Sequence, residues 1–417
     1  MLRRFRASLV NVRRRFLLRR TPTGCAYALA DDVSMLNPEH WDRLTAGKSV
    51  FLSRRYLSLL HEHAPAGMRL HAALVYQDGR PVAAVAAQSI HVQQDNLPKA
   101  DRAAHKGERT LWRAMARIDQ RVLVCGNLLS WGNHGVALAE DAEPRLVWPG
   151  VTEALYRMRK ADRMFGETDL ILLKDLPADD GVAAEAVYPY SYRPFDTEPD
   201  MVLSLDPGWN SFDDYLASLR RDYRKAIRHT HKQIEEAGLS VQRLSAADVQ
   251  AEGGALHHLY RNVQEKQRFR LVTISPSYLP AMAAAFAEDF VTTGVRTADG
   301  RLAGFVTTLR DGDGAVGYYI GFDRELAATG VPLYLRLLQA VVEDAIALRA
   351  RCISLGRTAL EPKARLGAEP HRIRCFVKHR IDPMNVVVRA LLDVMPEPDL
   401  PPDRNPFPPD RRPSHHP

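Results

Sequence analysis

The most regular alternation of apolar and polar positions falls between residues 291 and 322. Three apolar-rich stretches, 291–297, 302–309 and 315–322, are separated by Asp299-Gly300 and by Asp311-Gly312-Asp313-Gly314, which predicts a three-stranded antiparallel meander. Ahead of it, Phe212, Tyr215, Leu216, Leu219, Tyr223, Ile227 and Ile234 recur at helical spacing. Ser211 with Asp214 forms a capping box at the start of that helix, and Gly238 stops it. A strand over 239–244, a helix near 256–266 and a helix over 277–290 lead into the meander. A helix over 332–350, started by Pro332, follows it, then a strand over 352–355 and a last strand over 374–379.

This order occurs twice. Ser53-Arg54-Arg55-Tyr56-Leu57 recurs as Ser275-Pro276-Ser277-Tyr278-Leu279, and Asp78-Gly79-Arg80 recurs as Asp299-Gly300-Arg301, at a spacing of about 220 residues. Leu155-Tyr156 corresponds to Leu333-Tyr334, and Leu170-Ile171-Leu172-Leu173 to Cys352-Ile353-Ser354-Leu355. The spacing has by then shortened by about 40 residues, so the first copy holds an insertion, placed in the charged stretch near 93–120 that contains Trp112. The reading is a basic amphipathic extension over 1–26, a first domain over 27–199, a second over 200–394 and a disordered proline-rich tail over 395–417. A linker rich in Pro, Asp and Ala occupies 177–200.

The 417 residues suffice for two domains with cores of their own. An apolar fraction of 46% and a charged fraction of 26% are those of a globular protein. No apolar run is long enough to span a membrane. Four scattered cysteines form neither a disulfide framework nor a zinc knuckle, and a reducing cytoplasm is the expected compartment. A net charge of +7 favours a polyanionic partner. Within residues 1–20, eight arginines and no acid accompany Leu2, Phe5, Leu9, Val12 and Phe16 on one helical face. Such a helix suits peripheral contact with an anionic membrane, at the inner face of the cell membrane. No zinc-hydrolase, phosphate-loop or serine-hydrolase motif is present.

The repeated order of helices, meander, helix and strand resembles the layout of GNAT-type acyltransferases. Two tandem copies resemble the Fem-type aminoacyltransferases and their GNAT-like relatives. The resemblance rests on Tyr215-Leu216-Ala217-Ser218-Leu219 followed by Arg224 and Arg228, on Gly321-Phe322-Asp323, on Leu333-Tyr334, and on Gly356-Arg357-Thr358 leading to Lys363 and Gly367. It implies an α/β (α+β) chain of two GNAT-like domains, each a mixed, mainly antiparallel sheet flanked by helices. It also implies amide formation by transfer of an aminoacyl or acyl group to an amine, on a small molecule or a cell-wall precursor. The co-substrate would be aminoacyl-tRNA or acyl-CoA, with no tightly bound cofactor and no metal. The acyl-CoA fingerprint is absent: Arg324-Glu325-Leu326-Ala327-Ala328-Thr329-Gly330-Val331 carries a single glycine, and Trp131-Gly132-Asn133-His134-Gly135 in the first copy also misses the pattern.

Acyl transfer needs an aligned donor and amine, positive or N–H groups at the oxyanion, and a route for the amine proton. Lys363 matches a lysine that Fem-type enzymes keep near the reaction centre; a solvated surface lysine is the alternative. Arg357, at the end of a buried strand, suits a ligand cleft. Asp323 is a candidate base or a helix cap, and Tyr319 and Tyr334 are candidate proton donors or core residues. Arg224, Lys225 and Arg228, together with Lys266, form a candidate phosphate groove. Two other readings stay open. One is an acyl-CoA-dependent N-acyltransferase acting on a small metabolite or lipid head group. The other is a non-catalytic basic module that binds RNA or membrane.

Overall fold

A computed structural model of the chain describes residues 17–18, 21–93, 119–178, 180–265, 271–393 and 398–413. The insertion helix expected around Trp112, Lys266 and most of the basic extension lie outside these residues. Among the described residues no helix is long and apolar enough to cross a membrane.

Two mixed sheets with helices on both faces carry the chain. The strands are β1 (Ala26–Ala30), β2 (Arg69–Gln77), β3 (Arg80–Val92), β4 (Gln120–Cys125), β5 (Val136–Leu138), β6 (Leu170–Pro177), β7 (Arg193–Asp196), β8 (Asp200–Ser204), β9 (Ser240–Leu244), β10 (Phe290–Arg296), β11 (Leu302–Asp311), β12 (Gly314–Phe322), β13 (Cys352–Ser354), β14 (Glu369–His371) and β15 (Ile373–His379). The expected meander is β10-β11-β12, antiparallel throughout, with β9 on its far edge. Its counterpart β2-β3-β4 is built the same way.

One strand, β15, crosses from the second domain's segment into the first sheet. The first runs β1-β2-β3-β4-β6-β15-β7, with β5 also on β3, and the second runs β14-β8-β13-β12-β11-β10-β9. Strand β15, expected to complete the second domain, instead lies antiparallel between β6 and β7 of the first. Strand β8 lies between β13 and β14 of the second. The segment 177–200 is correspondingly not a free linker: it forms the helix Gly181–Val187, buries Tyr192 and supplies β7.

Three apolar clusters result. One lies outside the first sheet under the helix Pro144–Ala161, and one lies outside the second sheet under Leu333–Ala347. The third is shared: Tyr56, Leu60 and Leu74 of the first domain pack with Leu256, Tyr278, Phe305 and Leu309 of the second. A continuous apolar core of this kind makes the domains one packed body.

Two further expectations are corrected. The Ser211 capping box forms, but the predicted long helix is two, Phe212–Ser218 and Arg221–Glu236. At the break the Arg220 N–H turns to Pro406 O at 2.8 Å, away from the preceding turn. Pro406 belongs to the tail that was expected to be disordered. Phe407 is buried in the second domain's core, stacked on Trp209, and Arg404 and Arg412 pair with Glu361 and Glu369. Phe407 anchors the tail because the αL turn at Gly367 leaves it a slot that a Cβ would fill.

Candidate functional site

Strands β12 and β13 run parallel but pair only at Ala315 with Ile353 and Val316 with Ser354. Beyond that point β12 continues to Phe322 while β13 ends, so the sheet opens at the carboxyl ends of its strands, where α/β sheets place ligands. The first domain reaches into this opening with the loop between β4 and β5. Tyr319 Oη, on β12, donates to Leu129 O at 3.2 Å. The Trp131 indole N–H donates to Ser354 Oγ on β13 and its ring lies against Gly356, where a Cβ would stand 2.8 Å from the indole.

Behind Trp131 the polar groups are linked in series. Ser354 Oγ donates to Asp200 at 2.7 Å, and Asp200 also accepts the Gly356 N–H at 3.0 Å. Burial raises the Asp200 carboxyl above its usual range, opposed by the Ser354 hydrogen bond and by Lys363. Lys363 is buried, 3% exposed, and its ammonium donates to Gly356 O at 2.9 Å and to Arg357 O. Burial lowers its pKa to about 8, against the pull of Asp200 and Glu198. The loop that it holds is strained: Gly356, Thr358 and Ala359 have φ of +74°, +55° and +47°. Side-chain-bearing residues rarely adopt this region, and such strain gathers at ligand sites.

Arg357 crosses to the first domain and pairs with Asp175. Asp175 also binds Lys174 and accepts the Gly132 N–H at 3.1 Å, while Lys174 Nζ donates to Ser130 O at 2.7 Å. Burial alone would raise the Asp175 carboxyl, but Lys174 and Arg357 overcome it and hold it at about 2. The junction thus sets three cations, Lys174, Arg357 and Lys363, against two carboxylates. Arg357 Nε is buried with no hydrogen-bond partner, an uncommon state for a donor.

The structure brings Lys363 and Arg357 together at this junction, whereas Tyr319 sits on β12 among Tyr260, Tyr278 and Tyr318 with its hydroxyl on Leu129 O. Asp323 instead caps the helix Arg324–Ala328, accepting from Glu325 and Leu326 N–H at 3.0 Å each and pairing with Arg301 at 2.9 Å. Tyr334 packs near Phe322, with its hydroxyl pushed up to about 12 by burial. Arg224 Nη1 donates to Leu219 O at 3.3 Å, closing the helix break, while Lys225 and Arg228 project into solvent. Sequence reasoning missed Asp200, Ser354, Trp131, Lys174 and Asp175 as site residues. The signal was present for one pair: Lys174-Asp175 interrupts the apolar run 170–176. His134 is buried, its Nδ1 paired with Ser49 Oγ at 2.9 Å.

Residues 218–371 match the family described as Acetyltransferase (GNAT) domain. The fold is similar to that of FemX, with a TM-score of 0.52 at 12% identity, covering 87% of this chain and 99% of that one. A tandem GNAT protein from the clavulanic acid biosynthesis pathway also aligns, with a TM-score of 0.49 at 15% identity over 85% of this chain and 98% of that chain. So does L-PGS from Bacillus licheniformis, with a TM-score of 0.44 at 10% identity over 81% of this chain and 94% of that one. No curated protein matches the chain by sequence. Residues 218–371 thus carry a GNAT-type domain, and the fold of the chain as a whole is similar to that of FemX.

Proposed function

We propose that the chain is an N-acyltransferase that joins an aminoacyl or acyl group to an amine held between the two sheets. The observation that carries this reading is the buried Lys363–Asp200–Arg357 junction at the point where β12 and β13 separate. The acceptor nitrogen attacks the donor's carbonyl carbon, the C–N bond forms, the donor's C–O or C–S bond breaks, and the amine proton leaves with the departing group. Arg357 and Lys363 supply positive charge to the oxyanion, which needs neither metal nor covalent intermediate.

The donor best supported is aminoacyl-tRNA. Pro332 carries no N–H, and the Leu333 N–H turns back to Val331 O at 2.9 Å, so the helix Leu333–Ala347 begins with few amides for a pyrophosphate. Arg221, Lys225 and Arg228 instead offer exposed cations along one helix. Acyl-CoA is the second reading, favoured by the acetyltransferase match. The acceptor is an amine-bearing small molecule, a cell-wall precursor or a lipid head group, reached from the cytoplasm.

Label transfer from charged tRNA to amines, with and without RNase, is the test. RNase-sensitive amide formation that is lost in Lys363→Ala supports the reading. Transfer from acyl-CoA alone would replace the donor. Wild-type activity in Lys363→Ala and Arg357→Ala would remove the junction from the chemistry.

A further inference from the structure

We propose that the outer end of the first domain docks on an anionic lipid bilayer, through an inverted helix and the basic cavity beside it. The helix Met384–Leu392 is apolar at all but two positions, yet its one buried residue is Asn385. Asn385 Oδ1 accepts the His379 N–H at 2.8 Å and its Nδ2 donates to His379 O at 3.0 Å, so the polar side chain anchors the helix inward. Val386, 71% exposed, turns outward with Val387, Met384 and Ile381. A surface helix ordinarily does the reverse.

A second apolar projection stands next to it. Arg380 pairs with Asp169 and Glu167 and its N–H donates to Asp169 O at 2.8 Å, which binds the turn before Met384 to the loop that carries Met164 and Phe165. Both of those side chains are exposed, Met164 at 95%. Beside these projections lies a cavity of about 680 Å3, lined by Arg157, Arg159, Lys378 and Arg380 together with Glu153 and Asp382, with Arg157 paired to Glu153 and Arg380 to Asp169 and Glu167. Leu18 and Thr21 also line it.

Apolar side chains pointing outward around a basic cavity match a bilayer face, where the former enter the acyl boundary and the latter meets headgroup phosphates. A second copy fits less well, because a two-fold interface through this patch would bring cation cavity near cation cavity. Nucleic acid would leave the exposed aliphatic residues unused.

The test is co-sedimentation of the full chain with vesicles of phosphatidylcholine alone and of phosphatidylcholine mixed with phosphatidylglycerol. Binding is expected only to the anionic vesicles. It should fall by at least roughly tenfold in Val386→Asp/Val387→Asp and, at a half-buried position, in Arg159→Glu, with melting unchanged in the valine pair because those side chains are exposed. Equal binding by wild type and both variants overturns the proposal. So does a wild-type dimer, in the absence of lipid, that Val386→Asp/Val387→Asp converts to monomer, since the patch would then be a self-interface. Because the readout is vesicle binding, failure here leaves the acyl-transfer reading standing, and loss of that reading leaves this one standing.

Discussion

The phenolic oxygens of Tyr56 and Tyr278, the same position in the two repeats, meet at 3.1 Å in the shared core. Tyr318 joins them, 2.6 Å from Tyr278, and Asn127 Nδ2 donates to Tyr56 at 2.8 Å. Both repeats therefore bring the first turn of an equivalent helix to the same point, and the duplication is closed by a hydrogen bond.

Removing either hydroxyl strands the others in a fully buried site. Tyr56→Phe and Tyr278→Phe should each cost about 1–3 kcal/mol. The double variant should cost clearly less than the sum, because the two side chains share one network. Urea unfolding that shows a lowered midpoint at an unchanged slope checks this, and full additivity would count against a shared network.

The repeat was legible because its signals are local: Asp-Gly turns, a tyrosine in a fixed frame and a period-two strand pattern all lie within a few residues of one another. The placement of β15 in the first sheet was not, because a short apolar strand reads the same whichever sheet receives it, and only long-range pairing decides. The site was half legible for a related reason. Lys363 and Arg357 stand in a recognisable frame, whereas Asp200, Trp131 and Asp175 reach the junction from three separate segments. Phe407 was hidden by its prolines, which remove helical and strand periodicity without preventing one aromatic side chain from filling a slot.

Gly356 allows the two domains to approach. Gly356→Ala imposes an αL strain of about 1–2 kcal/mol and sets a methyl 2.8 Å from Trp131. Gly47→Ala imposes the same kind of strain, at φ +67°, but meets nothing within 4 Å. Transfer activity should therefore fall by at least roughly tenfold in Gly356→Ala and hold in Gly47→Ala, where only strain acts. Equal losses in the two variants would mean that backbone strain, not the Trp131 contact, is what matters.

The tail should behave as part of the fold. Phe407→Ala removes a buried ring from between Trp209 and Gly367 and should cost about 3–5 kcal/mol, as large core truncations do. Brief trypsin treatment of the wild type should spare Arg404 and Arg411, and Phe407→Ala should expose them. Rapid cleavage at Arg404 in the wild type would show that the tail is not held.

Lys363 should make stability and activity diverge with pH. Its pKa is about 8 in the folded chain against an ordinary 10.5, so between these values the unfolded chain holds the extra proton. Stability therefore rises as pH goes from about 8 to 10.5, by up to ~3 kcal/mol from this group. If the ammonium is what meets the oxyanion, transfer falls over the same range, while the protein grows more stable. Lys363→Met should remove the stability gain and the transfer together. Lys363→Arg, charged throughout, should keep some transfer and lose the fall above pH 8. Parallel melting and rate profiles against pH check both limbs, and a rate that climbs above pH 8 in the wild type would make the neutral amine, acting as a base, the working form.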